Sequence, residues 1–175
     1  LRYRFTFNPY RLVRNKEWHQ FFTSGLIHAD HWHLGFNMLV FYYFAFRLEI
    51  DHLGPWLFLV MYVGALIISH IPGLIRHKDD SGYNALGASG AISAVVLSMV
   101  IFEPNMKLGL LFIPGELPGW LFALLYMAYS FYAGIRGIGR VGHDAHLWGS
   151  LAGIVLTVLM KPAAAADFID WMSAL

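Results

Sequence analysis

Gly87-Ala88-Ser89-Gly90 opens one long apolar stretch of the chain, and Ala145-His146-Leu147-Trp148-Gly149 opens another. Serine and histidine are costly inside a membrane helix, so each marks a functional site by default. Together they can form a nucleophile and its base. The first question is whether both stretches lie in lipid, and the second is whether they meet.

Composition answers the first. The 175 residues are 58% hydrophobic, 17% aromatic and only 13% charged, with a mean hydropathy of +0.54. A soluble domain carries about a quarter charged residues. The apolar residues also come in blocks of near-membrane length rather than in amphipathic stripes. An integral, multi-pass membrane protein is expected. A net charge of +1, with basic residues scattered between the blocks, gives no reason to expect a nucleic-acid partner. Cysteine is absent, which excludes disulfides, thiolate metal sites and cysteine nucleophiles. The chain starts at Leu1 and shows no signal-peptide pattern, so a preceding segment is expected to be missing.

Five apolar blocks run over 33–49, 55–71, 89–102, 117–135 and 145–160. They predict an all-α polytopic membrane bundle with five visible transmembrane helices in a single domain over 1–175. Within it, 33–160 is the helical core and 161–175 a C-terminal tail. Residues 1–32 mix Trp18, Phe21, Phe22, Leu26, Ile27 and Trp32 with His19, His28, Asp30 and His31. That mixture suits an interfacial segment, with apolar bodies in lipid and polar edges in water.

Depth ties the polar residues together. Successive spans alternate in direction, so the first, third and fifth blocks run the same way, ending at Arg47, Glu103 and Lys161. His33 and Ser89 lie 14 residues before those ends and His146 lies 15 before. At about 1.5 Å per residue all three sit roughly 21–23 Å from a common boundary. In a hydrocarbon core about 30 Å thick they share one depth. The third and fifth blocks are too short to span alone, so 80–88 must dip into the membrane, beside protein or a wet cavity. Gly90, Ala94 and Ser98 on one helix and Ala145, Gly149 and Gly153 on the other form small-residue stripes that allow close approach.

The chemistry follows from that placement. His146 is positioned to take the proton of Ser89. Attack on an amide creates an oxyanion, which needs donors fixed in advance. The Ser89 backbone N–H, at a helix start, is one. His33 and Asn37, one turn apart on one helix face, are two more. Asp144 lies on another face and is expected to cap the last helix. A Ser-His dyad is therefore expected, with Ser93 the nearest group to orient the imidazole.

These residues resemble the rhomboid family of intramembrane serine proteases. The matching elements are His33-Leu34-Gly35-Phe36-Asn37, Gly87-Ala88-Ser89-Gly90, and Ala145-His146 followed by Gly149 and Gly153. Trp18-His19-Gln20 resembles the W-x-R element of the family's first loop, and Glu49 the acidic residue closing its second helix. The resemblance implies Ser89 as nucleophile, His146 as base, and His33, Asn37 and the Ser89 N–H as oxyanion hole. Gly87, Gly90, Ser93, Gly149 and Gly153 would support them. It implies transmembrane proteins as substrates, no metal or cofactor, and a first family helix ahead of Leu1. A bacterial inner membrane is the expected location.

Three positions depart from the family pattern. Gln20 stands where arginine is usual, and Ser93 where several members carry a tyrosine stacked on the histidine. The third departure is charge. Most of the twelve Lys and Arg residues lie on the side holding residues 1–32, 72–88 and 134–142. The positive-inside rule would put that side in the cytoplasm. The family opens its site away from the cytoplasm, and the family orientation is the one expected.

The glycines at 134, 137, 139 and 142 predict a mobile cover leading into His146. The fourth helix, with Trp120, Phe122, Tyr126, Phe131 and Tyr132, would stand beside it as a side gate for substrate. Two rival readings differ in chemistry. His28, His31 and His33 with His143 and His146 could hold zinc or iron. A non-catalytic rhomboid-like protein would bind membrane segments without cutting them.

Overall fold

The computed structural model describes residues 2–109, 115–138 and 142–174. It is mostly helical. Two short helices, α1 (Arg2–Phe5) and α2 (Pro9–Asn15), are followed by α3 (Gln20–Thr23) and a 3₁₀ turn. The main bundle is α4 (His31–Arg47), α5 (Pro55–His77), α6 (Ser89–Phe102), α7 (Gly119–Arg136) and α8 (His143–Met160). A π-helical turn, Leu48–Leu53, links α4 to α5, and α9 (Pro162–Ser173) closes the described chain.

α6 is the central element. Every residue from Gly90 to Ile101 is buried, which is why its sequence shows no polar face. α4, α5, α7 and α8 pack around it and turn large apolar side chains outward, including Tyr42, Trp56, Leu124 and Leu159. So much exposed apolar surface on every side suits lipid better than water. By length and composition α5 alone among the described helices can cross a membrane, and α8 with α9 does so only as a pair bent by 111°.

Block boundaries differ from expectation where local chemistry overrides hydropathy. α4 begins two residues early, because Asp30 caps it by accepting the His33 N–H at 2.8 Å. α5 continues past Ile71 through Pro72 to His77, although an interior proline removes one helical hydrogen bond and crowds the carbonyl four residues earlier. Residues 161–175, expected as a tail, contain α9. A two-stranded hairpin, β1 (Lys107–Gly109) with β2 (Glu116–Pro118), interrupts an otherwise all-α fold. Asp144 is not the cap of α8. Gly142 holds that position, and Asp144 sits in the first turn, hydrogen-bonded to Arg76 of α5. Its negative charge there still favours the helix N-terminus.

The N-terminal segment holds the irregular backbone ahead of α6. Phe7 and Ala85 exchange both backbone hydrogen bonds at 2.9 Å. The Asn8 amide donates to the carbonyls of Ser81 and Tyr83, and the Gly87 N–H donates to the Ser24 carbonyl. Gln20, where arginine was usual, is fully buried and bridges the segment internally. Its Oε1 accepts the Asn8 N–H at 2.8 Å and its amide donates to Glu17. Trp18, Phe22, Leu26 and Trp32 stay exposed, while Phe7, Asn8, Leu12 and Ser24 form a buried face.

The α6–α8 contact is backbone against backbone. A Cβ added at Gly149 would come within 2.6 Å of the Gly90 carbonyl carbon, and one at Gly153 within 2.5 Å of the Ala94 Cα. One turn on, Ser98 and Thr157 hydrogen-bond across the same seam at 2.6 Å. Gly153→Ala is expected to lower stability by about 1–3 kcal/mol, the range for overpacking a filled interior. A fall in the thermal midpoint in detergent would show it; an unchanged midpoint would mean the helices can part at little cost.

Candidate active site

Two helix starts converge on one point. α6 begins at Ser89 and α8 at His143, and their glycine-lined seam sets how far apart the first turns stand. The Ser89 hydroxyl and His146 Nε2 are hydrogen-bonded at 2.8 Å. In the tautomer with the imidazole proton on Nδ1, Nε2 is the acceptor. Ser89 is the first helical residue, so its N–H lies beyond the intrahelical ladder, with the positive end of the α6 dipole.

α4 supplies the opposite wall. A Cβ on Gly87 would lie 2.7 Å from His33 Cε1, 2.9 Å from His33 Nε2 and 3.7 Å from Asn37 Nδ2. Gly87 thus lets both side chains close in, and its φ of 102° is one that only glycine adopts freely. His33 Nδ1 accepts the Ala29 N–H at 3.3 Å. Its proton therefore belongs on Nε2, the nitrogen facing Gly87. Asn37 is buried, and its Nδ2 has no hydrogen-bond partner among the described residues. A buried unsatisfied donor costs about 1–3 kcal/mol and asks for an explanation. His28 stands edge-on to His33 at 5.1 Å; burial first, then its neighbour's charge, hold it below the usual imidazole range.

The structure therefore brings together Ser89, His146, His33, Asn37 and Gly87. Gly90, Gly149 and Gly153 lie in the helix seam rather than at the site. The Ser93 hydroxyl bonds groups other than the imidazole. It donates to the Ser89 carbonyl at 2.8 Å and lies 2.7 Å from the Tyr126 hydroxyl. Tyr126 of α7 is the ring stacked beside His146, with centroids 6.1 Å apart and planes 23° apart. The sequence reading had placed Tyr126 only in a gate, since one tyrosine in an aromatic-rich helix carries no sign of its partner. Asp30, Ser24 and His70 were also missed as supports. Asp30 caps α4 beneath His33, and the Ser24 hydroxyl faces His70 Nε2 at 3.4 Å beneath the Gly87 loop. A helix-capping Asp before an apolar run was a readable signal.

The expected 134–142 cover is only partly described, with Gly139, Arg140 and Val141 outside the described residues. Gly134 lies within α7, packed against Asp144, and Gly137 caps that helix with a φ of 61°. Of the gate aromatics, Phe131 and Tyr132 face outward, while Trp120, Phe122 and Tyr126 are half-buried. Of the histidines considered as metal ligands, His143 donates from Nε2 to the Ile138 carbonyl at 3.1 Å, and His146 Nε2 is engaged by the Ser89 hydroxyl. Among the described residues no three His, Cys, Asp or Glu side chains cluster to hold a metal.

A family model for the rhomboid domain matches residues 15–163. The chain belongs to the rhomboid family, whose members are integral membrane proteins. It is similar to "Putative rhomboid protease YdcA" of Bacillus subtilis (strain 168), 32% identical over 163 residues, which is 90% of this chain and 75% of that protein. It is also similar to "RHOMBOID-like protein 12, mitochondrial" of Arabidopsis thaliana, 27% identical over 75% of this chain and 43% of that protein. "Rhomboid protein 1, mitochondrial" of Saccharomyces cerevisiae is 29% identical, over 75% of this chain and 39% of that protein. The chain spans less than half the length of the two mitochondrial relatives.

Gly87→Ala should push the His33 ring away and strain the loop, at about 1–3 kcal/mol for a side chain in such a conformation. A lowered thermal midpoint, with a shifted His33 imidazole signal by NMR, would show it. An unmoved imidazole would mean that the Gly87–His33 approach is not fixed.

Proposed function

We propose that the protein is an intramembrane serine endopeptidase that cuts transmembrane segments of other proteins with a Ser89–His146 dyad. The observation that carries this is the pairing of the 2.8 Å Ser89–His146 bond with a buried Asn37 Nδ2, across Gly87, that has no hydrogen-bond partner among the described residues. One is an activated hydroxyl. The other is a donor held ready for a charge that appears only during reaction.

The steps follow from the atoms. Ser89 Oγ attacks the scissile carbonyl while its proton passes to His146 Nε2. The carbonyl oxygen becomes an oxyanion among the Ser89 N–H, His33 Nε2–H and Asn37 Nδ2. The C–N bond then breaks, and His146 gives its proton to the leaving amine. Water, deprotonated by His146, attacks the acyl-Ser89 ester, releasing the new carboxyl terminus and restoring Ser89. No metal or cofactor enters these steps, and the partners are the substrate's membrane segment and the bilayer.

The five main helices would sit in a bacterial cell membrane as a multi-pass domain, in keeping with the Bacillus relative. Residues 1–32 would lie at the interface. The same reading makes α7 the side gate. α7 packs on α6 and α8, and its Phe122 and Met127 share one apolar cluster with Val40 and Phe44 of α4.

Ser89→Ala and His146→Ala should each abolish cleavage of a transmembrane substrate by the folded protein. Asn37→Ala should lower kcat by about 10²-fold with little change in KM, since an oxyanion donor acts in the transition state. Full turnover in Ser89→Ala would refute the dyad, and an unchanged kcat in Asn37→Ala would remove that amide from the site. A cross-link between α4 and α7 should slow cleavage of transmembrane substrates without slowing fluorophosphonate labelling of Ser89. Full-rate cleavage by the cross-linked protein would place substrate entry elsewhere.

A further inference from the structure

A base with no carboxylate behind it must be aligned in some other way. The neighbouring carboxylate, Asp144, is taken by Arg76. Beyond Ser89, two aromatic rings flank the imidazole. Tyr126 lies beside its face at 6.1 Å, within the range of offset stacking. His143 meets the imidazole edge-on, at 6.1 Å and 82°.

Tyr126 is itself held at two points. Phe122, one turn earlier on α7, stacks on it at 5.7 Å with planes 9° apart. Its hydroxyl is 2.7 Å from Ser93 Oγ, whose own proton is on the Ser89 carbonyl. With that proton committed, Tyr126 is the donor to Ser93. The chain of bonds runs from the ring beside the base to the backbone of the nucleophile, so one connection fixes both against each other.

We propose that Tyr126 is the positioning residue for His146, aligning the imidazole with Ser89 only while α7 is seated on α6 through the Tyr126–Ser93 bond. This rests on the Ser89–His146 reading above. Its consequence concerns the proposed entry helix. Tyr126 is carried by α7 while the dyad belongs to α6 and α8, so a displacement of α7 removes the ring from the base. The dyad is aligned when α7 is closed and slack when it is open.

The test uses the full chain in detergent with Tyr126→Leu, Tyr126→Phe, Ser93→Ala and the Tyr126→Phe/Ser93→Ala double variant. Two rates are read: fluorophosphonate labelling of Ser89, which needs no substrate helix to enter, and kcat and KM on a transmembrane substrate. Tyr126→Leu should slow labelling and kcat by about tenfold, part of the roughly 10²–10⁴-fold a general base supplies, with KM unchanged. Tyr126→Phe restores the ring and should lose only about threefold, the worth of one neutral hydrogen bond. Ser93→Ala also loses its bond to the Ser89 carbonyl and should lose at least as much, and the double variant should be no slower than Ser93→Ala alone, because the Tyr126–Ser93 bond is absent in all three. The single-hydroxyl variants keep the test decisive if Tyr126→Leu does not fold.

Wild-type labelling rates in Tyr126→Leu, or losses that multiply in the double variant, overturn the proposal. A loss confined to KM does the same, since it would make Tyr126 a substrate contact. If wild-type protein cleaves substrate yet is not labelled at Ser89, the Ser89–His146 reading itself fails, which is a different result from a labelled protein indifferent to Tyr126.

Discussion

The approach of α8 to α6 is the constraint on which the rest of the structure depends. Side chains would hold two helices 8–10 Å apart, and a serine and a histidine are short. Here the seam has no side chains at Gly149 and Gly153, and the facing positions are Gly90 and Ala94. The backbones touch. Only then does the Ser89 hydroxyl reach His146 Nε2 at 2.8 Å, with both residues in the first turns of their helices. Lipid offers apolar groups as readily as a neighbouring helix does, so packing of this kind, with the Ser98–Thr157 bond, is what association in a membrane has to draw on.

A second constraint arises because α6 is short. Its 14 residues leave the chain before Ser89 as irregular backbone, whose polar groups need partners wherever water is scarce. The N-terminal segment provides them through Phe7, Asn8 and Ser24. The same arrangement frees Gly87 to press against His33 and Asn37. Loop satisfaction and site shape are one solution, since the Gly87 N–H that bonds Ser24 belongs to the residue whose missing side chain lets His33 and Asn37 close in.

What the sequence made legible was what departs from its surroundings. Ser89 and His146 stand out because they begin apolar runs, and the bounds of α6 follow from the run itself. Small-residue spacing showed which helices could approach closely. The supports were illegible for a different reason. Asn8 meets Gln20 twelve positions away, Ser24 pairs with His70 46 positions away, and no local period announces such bonds. Pro72 looked like a helix end and is instead interior. Ser93 was read from its place one turn after Ser89, which is correct geometry for a helix. Its bond goes to the Ser89 carbonyl and to α7, and the rotation of α7 is not written in α6.

The aromatic content of α7 has a physical reading once that rotation is known. Phe131 and Tyr132 point outward from α7, while Tyr129 meets His143 of α8 edge-on at 5.5 Å. Phe122 and Tyr126 turn the other way and stack on one another. In a soluble triad a buried carboxylate orients the histidine through one strong, local bond. In lipid a second charge is expensive, and ring stacking aligns an imidazole without one. Stacking is weaker and depends on where a whole helix sits. On the proposed reading, a dyad built this way would exchange a fixed orientation for one set by its neighbours, and its base would be no more rigid than the seat of α7.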